Sequence, residues 1–135
     1  MDKPVDLALL VDDNDVDLFI QKRFIEISGF AKSIKTYNSP RQAISYLQED
    51  SSPAPQIIFL DLNMPGMDGF GFLDSLINLP ERIRDMVRVV VLTSSNNQSD
   101  KRRAETYSSV ANFLSKPLSV EALRVLKEDL PDGSR

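Results

Sequence analysis

Residues 6–17 read DLALLVDDNDVD, an apolar run that stops abruptly in carboxylates. Positions 7–11 are Leu, Ala, Leu, Leu and Val with no polar alternation, the pattern of a parallel strand covered on both faces. Behind it, Asp12, Asp13, Asp15 and Asp17 crowd into one short stretch. The spacing of Asp13, Asp15 and Asp17 fits the opening of a calcium-binding EF-hand loop. The remaining positions do not: the sixth is Leu18 where the turn needs glycine, and the twelfth is Phe24 where calcium needs a bidentate glutamate. The stretch therefore divides into a strand end carrying Asp12 and Asp13, and a helix start. Asn14 is the expected cap, and Asp15 and Asp17 occupy the first turn, where carboxylates meet the positive end of the helix dipole.

Working outward, three more runs share the continuous apolar character: residues 56–61 (QIIFLD), 86–92 (MVRVVVL) and 111–115 (ANFLS). With the first run they read as strands buried on both faces. Residues 33–37 (SIKTY) alternate and contain Lys35, which suits an edge strand. Helical patterns lie between the runs. Val16, Ile20, Phe24 and Ile27 recur at helical spacing up to Gly29 and read as a buried face. Ser39, Pro40 and Gln42 form a helix start with Ala43, Ile44 and Leu47 on its apolar side. After Asp68 come Phe72, Leu73, Leu76 and Ile77, ended by Pro80. Residues 97–107 are polar, with Ala104 and Tyr107 as the core contacts, so that helix is weakly anchored. Ser119 opens a last helix with Leu123, Leu126 and Leu130 facing in, closed by Pro131-Asp132-Gly133.

Five alternations of strand and helix predict an α/β fold: a doubly wound five-stranded parallel sheet of order 2-1-3-4-5, helices on both faces. The 135 residues suffice for one domain spanning 1–135, with a core over about 6–130 and no effector domain after the last helix. Hydrophobic residues make up 41% and charged residues 27%, and no apolar stretch approaches the ~20 residues of a membrane span. The N-terminus lacks a signal-peptide pattern, and a cytoplasmic location is expected. The absence of cysteine excludes disulfides and thiolate chemistry, and the absence of histidine removes the commonest general base and transition-metal ligand. Chemistry must run on carboxylates, hydroxyls and lysine. A net charge of -4 argues against direct nucleic-acid binding, and Lys101-Arg102-Arg103 reads as a solvated helix face.

In such sheets ligands bind beyond the carboxyl ends of the strands. The first run ends at Asp12 and Asp13, the third at Asp61, the fourth at Thr93 and Ser94, and the fifth at Lys116. Three carboxylates against one ammonium leave a negative excess that a divalent cation would neutralise. These polar groups, on that one edge, suit magnesium and phosphate.

The ordered set Asp12-Asp13, DLNMPGMDG at residues 61–69, Thr93-Ser94 and Lys116-Pro117 resembles the receiver domain of two-component response regulators, over essentially the whole chain. The resemblance implies the flavodoxin-like receiver fold and a switch that catalyses its own aspartyl phosphorylation and dephosphorylation rather than a metabolic enzyme. Asp61 would be the phosphoacceptor, with Lys116 and Thr93 acting on the phosphoryl group. Mg²⁺, with Mn²⁺ as a substitute, would be held by Asp13, Asp61 and the backbone carbonyl of Asn63, with Asp12 acting through water. Thr93 and Phe113 would form the switch, and Lys116-Pro117 would be a cis peptide. The implied partners are a histidine kinase or histidine phosphotransfer protein and a downstream protein target, met through residues of about 97–130. The chain would be a monomer or a phosphorylation-dependent dimer, with no membrane or nucleic-acid partner.

Two departures from the family pattern stand out: Phe113 where tyrosine is frequent, and Ser109-Val110 where a glycine-alanine pair is usual. A Mg²⁺ phosphohydrolase with an aspartate nucleophile is the enzyme alternative, but Asn63 stands where that class needs its general-acid aspartate. A flavin module is disfavoured because aspartates, not a phosphate-binding loop, follow the first strand. A receiver fold used only for docking is the third alternative, and the full acidic set argues against it.

Overall fold

The computed structural model describes residues 4–49, 51–62, 68–93 and 98–129. Its strands are β1 (Val5–Val11), β2 (Ala31–Tyr37), β3 (Ile57–Asp61), β4 (Arg88–Thr93) and β5 (Val110–Ser115). Its helices are α1 (Asp15–Ser28), α2 (Pro40–Gln48), α3 (Gly69–Ile77), α4 (Glu81–Arg84), α5 (Gln98–Glu105) and α6 (Val120–Asp129). The strands form one sheet in the order β2-β1-β3-β4-β5, and every pairing is parallel. Beyond Asp6 in β1 and Arg88 in β4, every residue of the three central strands is buried. This follows from their unbroken apolar sequence, since a central parallel strand meets helices on both sides.

Alternation along the strands sorts the core into two layers. Ala8, Leu10, Ile57, Phe59, Val90 and Leu92 face Leu18 and Ile25 of α1 and Leu123 and Leu126 of α6. Leu9, Val11, Ile58, Leu60, Val89 and Val91 face the opposite layer, built on α2 and α3, with Ile83 of α4 and Ala104 of α5. At roughly 1.5–3 kcal/mol for each fully buried large aliphatic or aromatic side chain, these layers supply the main driving force for folding.

Local signals set the helix ends. Asn14 Oδ1 accepts the Asp17 backbone N–H at 3.0 Å, and Gly29 closes α1 in the left-handed conformation at φ 70°. Ser39 caps α2 through the Gln42 N–H, and Asp68 caps α3 through the Gly71 N–H at 2.9 Å. Gly69 is required for a close approach: a Cβ there would lie 2.5 Å from Leu62 Cα and 2.9 Å from the Asp61 carbonyl oxygen. The Gly69 N–H donates to the Leu62 carbonyl at 2.9 Å, so α3 begins against the end of β3.

Three expectations need correction. The buried face of α1 is Leu18, Gln21 and Ile25, whereas Val16 (66% exposed), Ile20 and Ile27 (62%) point outward and Phe24 is half-buried. Helix α1 is apolar on both sides, and its inner side includes a polar Gln21, so periodicity picks out the wrong stripe. Ile77 is likewise exposed, because α3 ends there and the chain turns away into α4. Strand β5 is an edge strand, paired with β4 alone and only half-buried along most of its length, not buried on both faces. Helix α4 went unpredicted, since four residues carry no readable period; Pro80 precedes it, and Ile83 fills the core. Leu130 and Pro131-Asp132-Gly133 lie outside the described residues.

Candidate phosphoryl and metal site

The carboxyl ends of β1 and β3 are neighbours in the sheet, which brings Asp12, Asp13 and Asp61 together. One carboxylate oxygen from each lies within 4.8 Å of the others. Asp12 is 1% exposed and Asp61 6%, while Asp13 is open to solvent. Two buried carboxylates facing a third is costly without compensating cations. Compensation comes from β5, whose chain continues into Lys116: its Nζ lies 2.8 Å from Asp12 Oδ2 and 3.6 Å from Asp61 Oδ2. The Lys116 N–H donates to the Thr93 carbonyl at 2.8 Å, which ties the lysine to the end of β4. Thr93 is buried beside it at the strand end. The Lys116-Pro117 peptide bond is cis.

Burial alone would lower the pKa of Lys116, but hydrogen bonds to Asp12 and Asp17 and the charges of Asp12 and Asp61 outweigh it. The net effect holds the ammonium well above the usual lysine range. Lys116 is thus a fixed cation at any physiological pH, and it does not titrate as a base.

Helix α1 contributes more than its sequence suggests. The Asn14 N–H donates to Asp12 Oδ1 at 2.9 Å, Gln21 Nε2 donates to Asp12 Oδ2 at 3.1 Å, and Lys116 Nζ reaches Asp17 Oδ2 at 2.9 Å. Both oxygens of Asp12 are therefore engaged, which fixes its orientation. Asp17 was legible only as a first-turn carboxylate, and Gln21 drew no reading at all. Their spacing from Asn14, three and seven residues, places all three on one side of the helix and was the available signal.

The donor set fits a small hard cation: carboxylate oxygens that outnumber the single ammonium, with Asp13 exposed at the mouth. Asn63, expected to supply a carbonyl ligand, and Ser94, beside Thr93 in the sequence, lie outside the described residues. Phe113 is half-buried on β5 at the margin of the core layer containing Ala104. Lys101, Arg102 and Arg103 are exposed on α5, away from the cluster of carboxylates; Arg103 lies over the ring of Phe70, 3.9 Å from its centroid.

Residues 8–127 match the family model of the response regulator receiver domain. A probable methanogenesis regulatory protein, FilR2, from Methanothrix harundinacea is 36% identical over 93% of this chain and 81% of its own length. Response regulator Rcp1 from Synechocystis is 32% identical over 72% of this chain and 67% of its own. The crystal structure of a two component response regulator from Cytophaga hutchinsonii superposes with a TM-score of 0.86 at 29% identity, covering 94% of this chain and 97% of that one. The chain belongs to the response regulator receiver family.

Proposed function

We propose that this receiver-family chain is a phosphorylation-dependent signalling switch in which Asp61 accepts a phosphoryl group from the phosphohistidine of a sensor kinase or histidine phosphotransfer protein. The observation that carries this reading is the buried Asp61 carboxylate set among Asp12, Asp13 and the Lys116 ammonium. An Asp61 oxygen forms the new O–P bond as the donor's N–P bond breaks, and the electron pair of that bond returns to the imidazole nitrogen. Lys116 pairs with phosphoryl oxygens, and the Thr93 hydroxyl donates to another. Mg²⁺, held by Asp13, Asp61 and the Asn63 carbonyl, with Asp12 through water, would supply charge neutralisation at the phosphoryl group. A separate hydrolysis, in which water attacks phosphorus and the O–P bond to Asp61 breaks, returns the carboxylate and inorganic phosphate.

Output follows from how the far side of the site is built. Phosphorylation replaces the single negative charge of the Asp61 carboxylate with the roughly -1.5 to -2 of a phosphoryl group and brings three acceptor oxygens beside Thr93. Helix α5, whose buried contact is Ala104, and the half-buried edge strand β5 with Phe113 can shift at low cost. A downstream protein target reads that surface together with α6. The phosphodonor meets the other side, where Val16, Phe19, Ile20 and Ile27 form an exposed apolar stripe on the helix that also supplies Asn14, Asp17 and Gln21 to the site. A helical protein bearing phosphohistidine would cover it. The setting is cytoplasmic, the unit is a single receiver domain, and the protein acts as a monomer or a phosphorylation-dependent dimer. No helix among the described residues is long and apolar enough to cross a membrane.

Incubation with a small phosphodonor and Mg²⁺, followed by intact mass, tests the chemistry. A phosphoryl adduct is expected on the wild type and not on Asp61→Asn. An unmodified wild type, or an equal adduct on the variant, would overturn it.

A further inference from the structure

The ammonium of Lys116 sits between two carboxylates that differ in kind. Asp12 is buried and belongs to the cluster that would hold the cation. Asp17 stands one helical turn further along, on α1, outside that cluster and partly open to solvent, yet its Oδ2 is as close to Nζ, at 2.9 Å, as Asp12 Oδ2 is, at 2.8 Å. Asp61, the proposed acceptor, is further away at 3.6 Å. A divalent cation drawn to Asp12, Asp13 and Asp61 would weaken the hold of Asp12 and Asp61 on the lysine, since it competes for the same oxygens. It would leave the Asp17 contact in place.

We infer that Asp17 is a positioning residue that holds Lys116 toward α1 and competes with the incoming phosphoryl oxygens for its ammonium. This rests on the proposed phosphoacceptor role of Asp61. As Lys116 turns to the phosphoryl group it loosens its contact to Asp17, so the ion pair sets part of the stability of the phosphorylated state. Asp17 also lies in the first turn of α1 and favours that helix end, a role that does not depend on Lys116. The two roles separate experimentally.

Beryllofluoride, which binds carboxylates as a phosphoryl mimic, is titrated in Mg²⁺ into wild type, Asp17→Asn, Lys116→Met and the double variant, with bound fluoride followed by fluorine NMR. Asp17→Asn is expected to tighten binding roughly fivefold, the scale of one partly exposed ion pair. In the Lys116→Met background the same substitution should have no effect. If Lys116→Met does not fold, Lys116→Gln takes its place. Three results would overturn the inference: unchanged binding, weaker binding, or equal tightening in both backgrounds, which would reduce Asp17 to through-space repulsion. Failure of the wild type to bind the mimic would instead bring down the phosphoacceptor reading itself, and this inference with it.

Discussion

Helix α1 follows the strand that leads into Asp12, and helix α5 follows the strand that ends in Thr93, so the two leave the same edge of the sheet on either side of the acceptor. Helix α1 runs for 14 residues, is capped at both ends, seats Leu18 and Ile25 in the core and lends Gln21 and Asp17 to the site. Helix α5 has eight residues and one buried side chain, Ala104. It is held near its end by surface contacts: the Tyr107 hydroxyl donates to Asp74 at 2.7 Å, Tyr107 stacks on Phe70, and Arg103 covers the same ring. The first helix is an anchored wall that fixes acceptor geometry, and the second is a lightly fastened flap. A switch needs both, because a phosphoryl group can only move what is inexpensive to move.

Stability measurements can break this contrast. Ile25→Ala, which empties a fully buried site on α1, should cost about 2–5 kcal/mol by denaturant unfolding. Arg103→Ala on α5 should cost only about 0.5–1 kcal/mol, the worth of an exposed cation–π contact. Equal losses would mean that α5 is as firmly seated as α1. Between these lies the cap, where Asn14→Ala should cost about 1 kcal/mol, read in the same unfolding experiment.

The Tyr107 fastening carries its own pH signature. Its hydrogen bond to Asp74, then burial and the Asp74 charge, raise the phenol above the ordinary tyrosine value of 10.0, against a smaller opposing effect of Arg103. A group with a raised folded pKa contributes stability that is complete below the unfolded pKa and is lost as pH climbs through the folded one. Wild type should therefore lose stability more steeply than Tyr107→Phe above pH 10, with little difference between their slopes near neutrality. Parallel curves across the alkaline range would show that the hydrogen bond contributes nothing. The smallest effect on folding is expected from Phe19→Ser, about 0.5 kcal/mol or less, because that ring is 67% exposed. The same variant should slow phosphoryl transfer from a phosphohistidine protein and leave the rate with a small phosphodonor unchanged, and equal slowing with both donors would remove the docking role of the stripe.

The strand-end carboxylates and the caps at Asn14 and Ser39 were legible in the sequence because each is a local signal with a short physical range, and the sheet order followed from the handedness of strand-helix-strand crossovers. Burial on α1 was not legible. Val16, Ile20, Phe24 and Ile27 make a convincing inner stripe until Leu18 and Ile25, on the opposite side, are seen in the core beside Gln21. Apolar residues kept on an outer face obscure the period that burial would impose. The edge position of β5 was implied by the predicted order, yet ANFLS looks like a central strand on its own, since composition does not say how many neighbours a strand has. The contact of Asp17 with Lys116 is a relation across about a hundred residues, and that of Gln21 with Asp12 depends on how α1 lies against the end of β1, so the helical spacing of the two residues shows a shared side and not the partners.

The contrast between wall and flap meets its most direct test in amide hydrogen exchange on the wild type, with and without beryllofluoride and Mg²⁺. Exchange should change in β5 and α5 when the mimic binds, while amides of residues 18–28 in α1 keep their rates. Unchanged exchange in α5, or a change in α1 as large as that in α5, would contradict it.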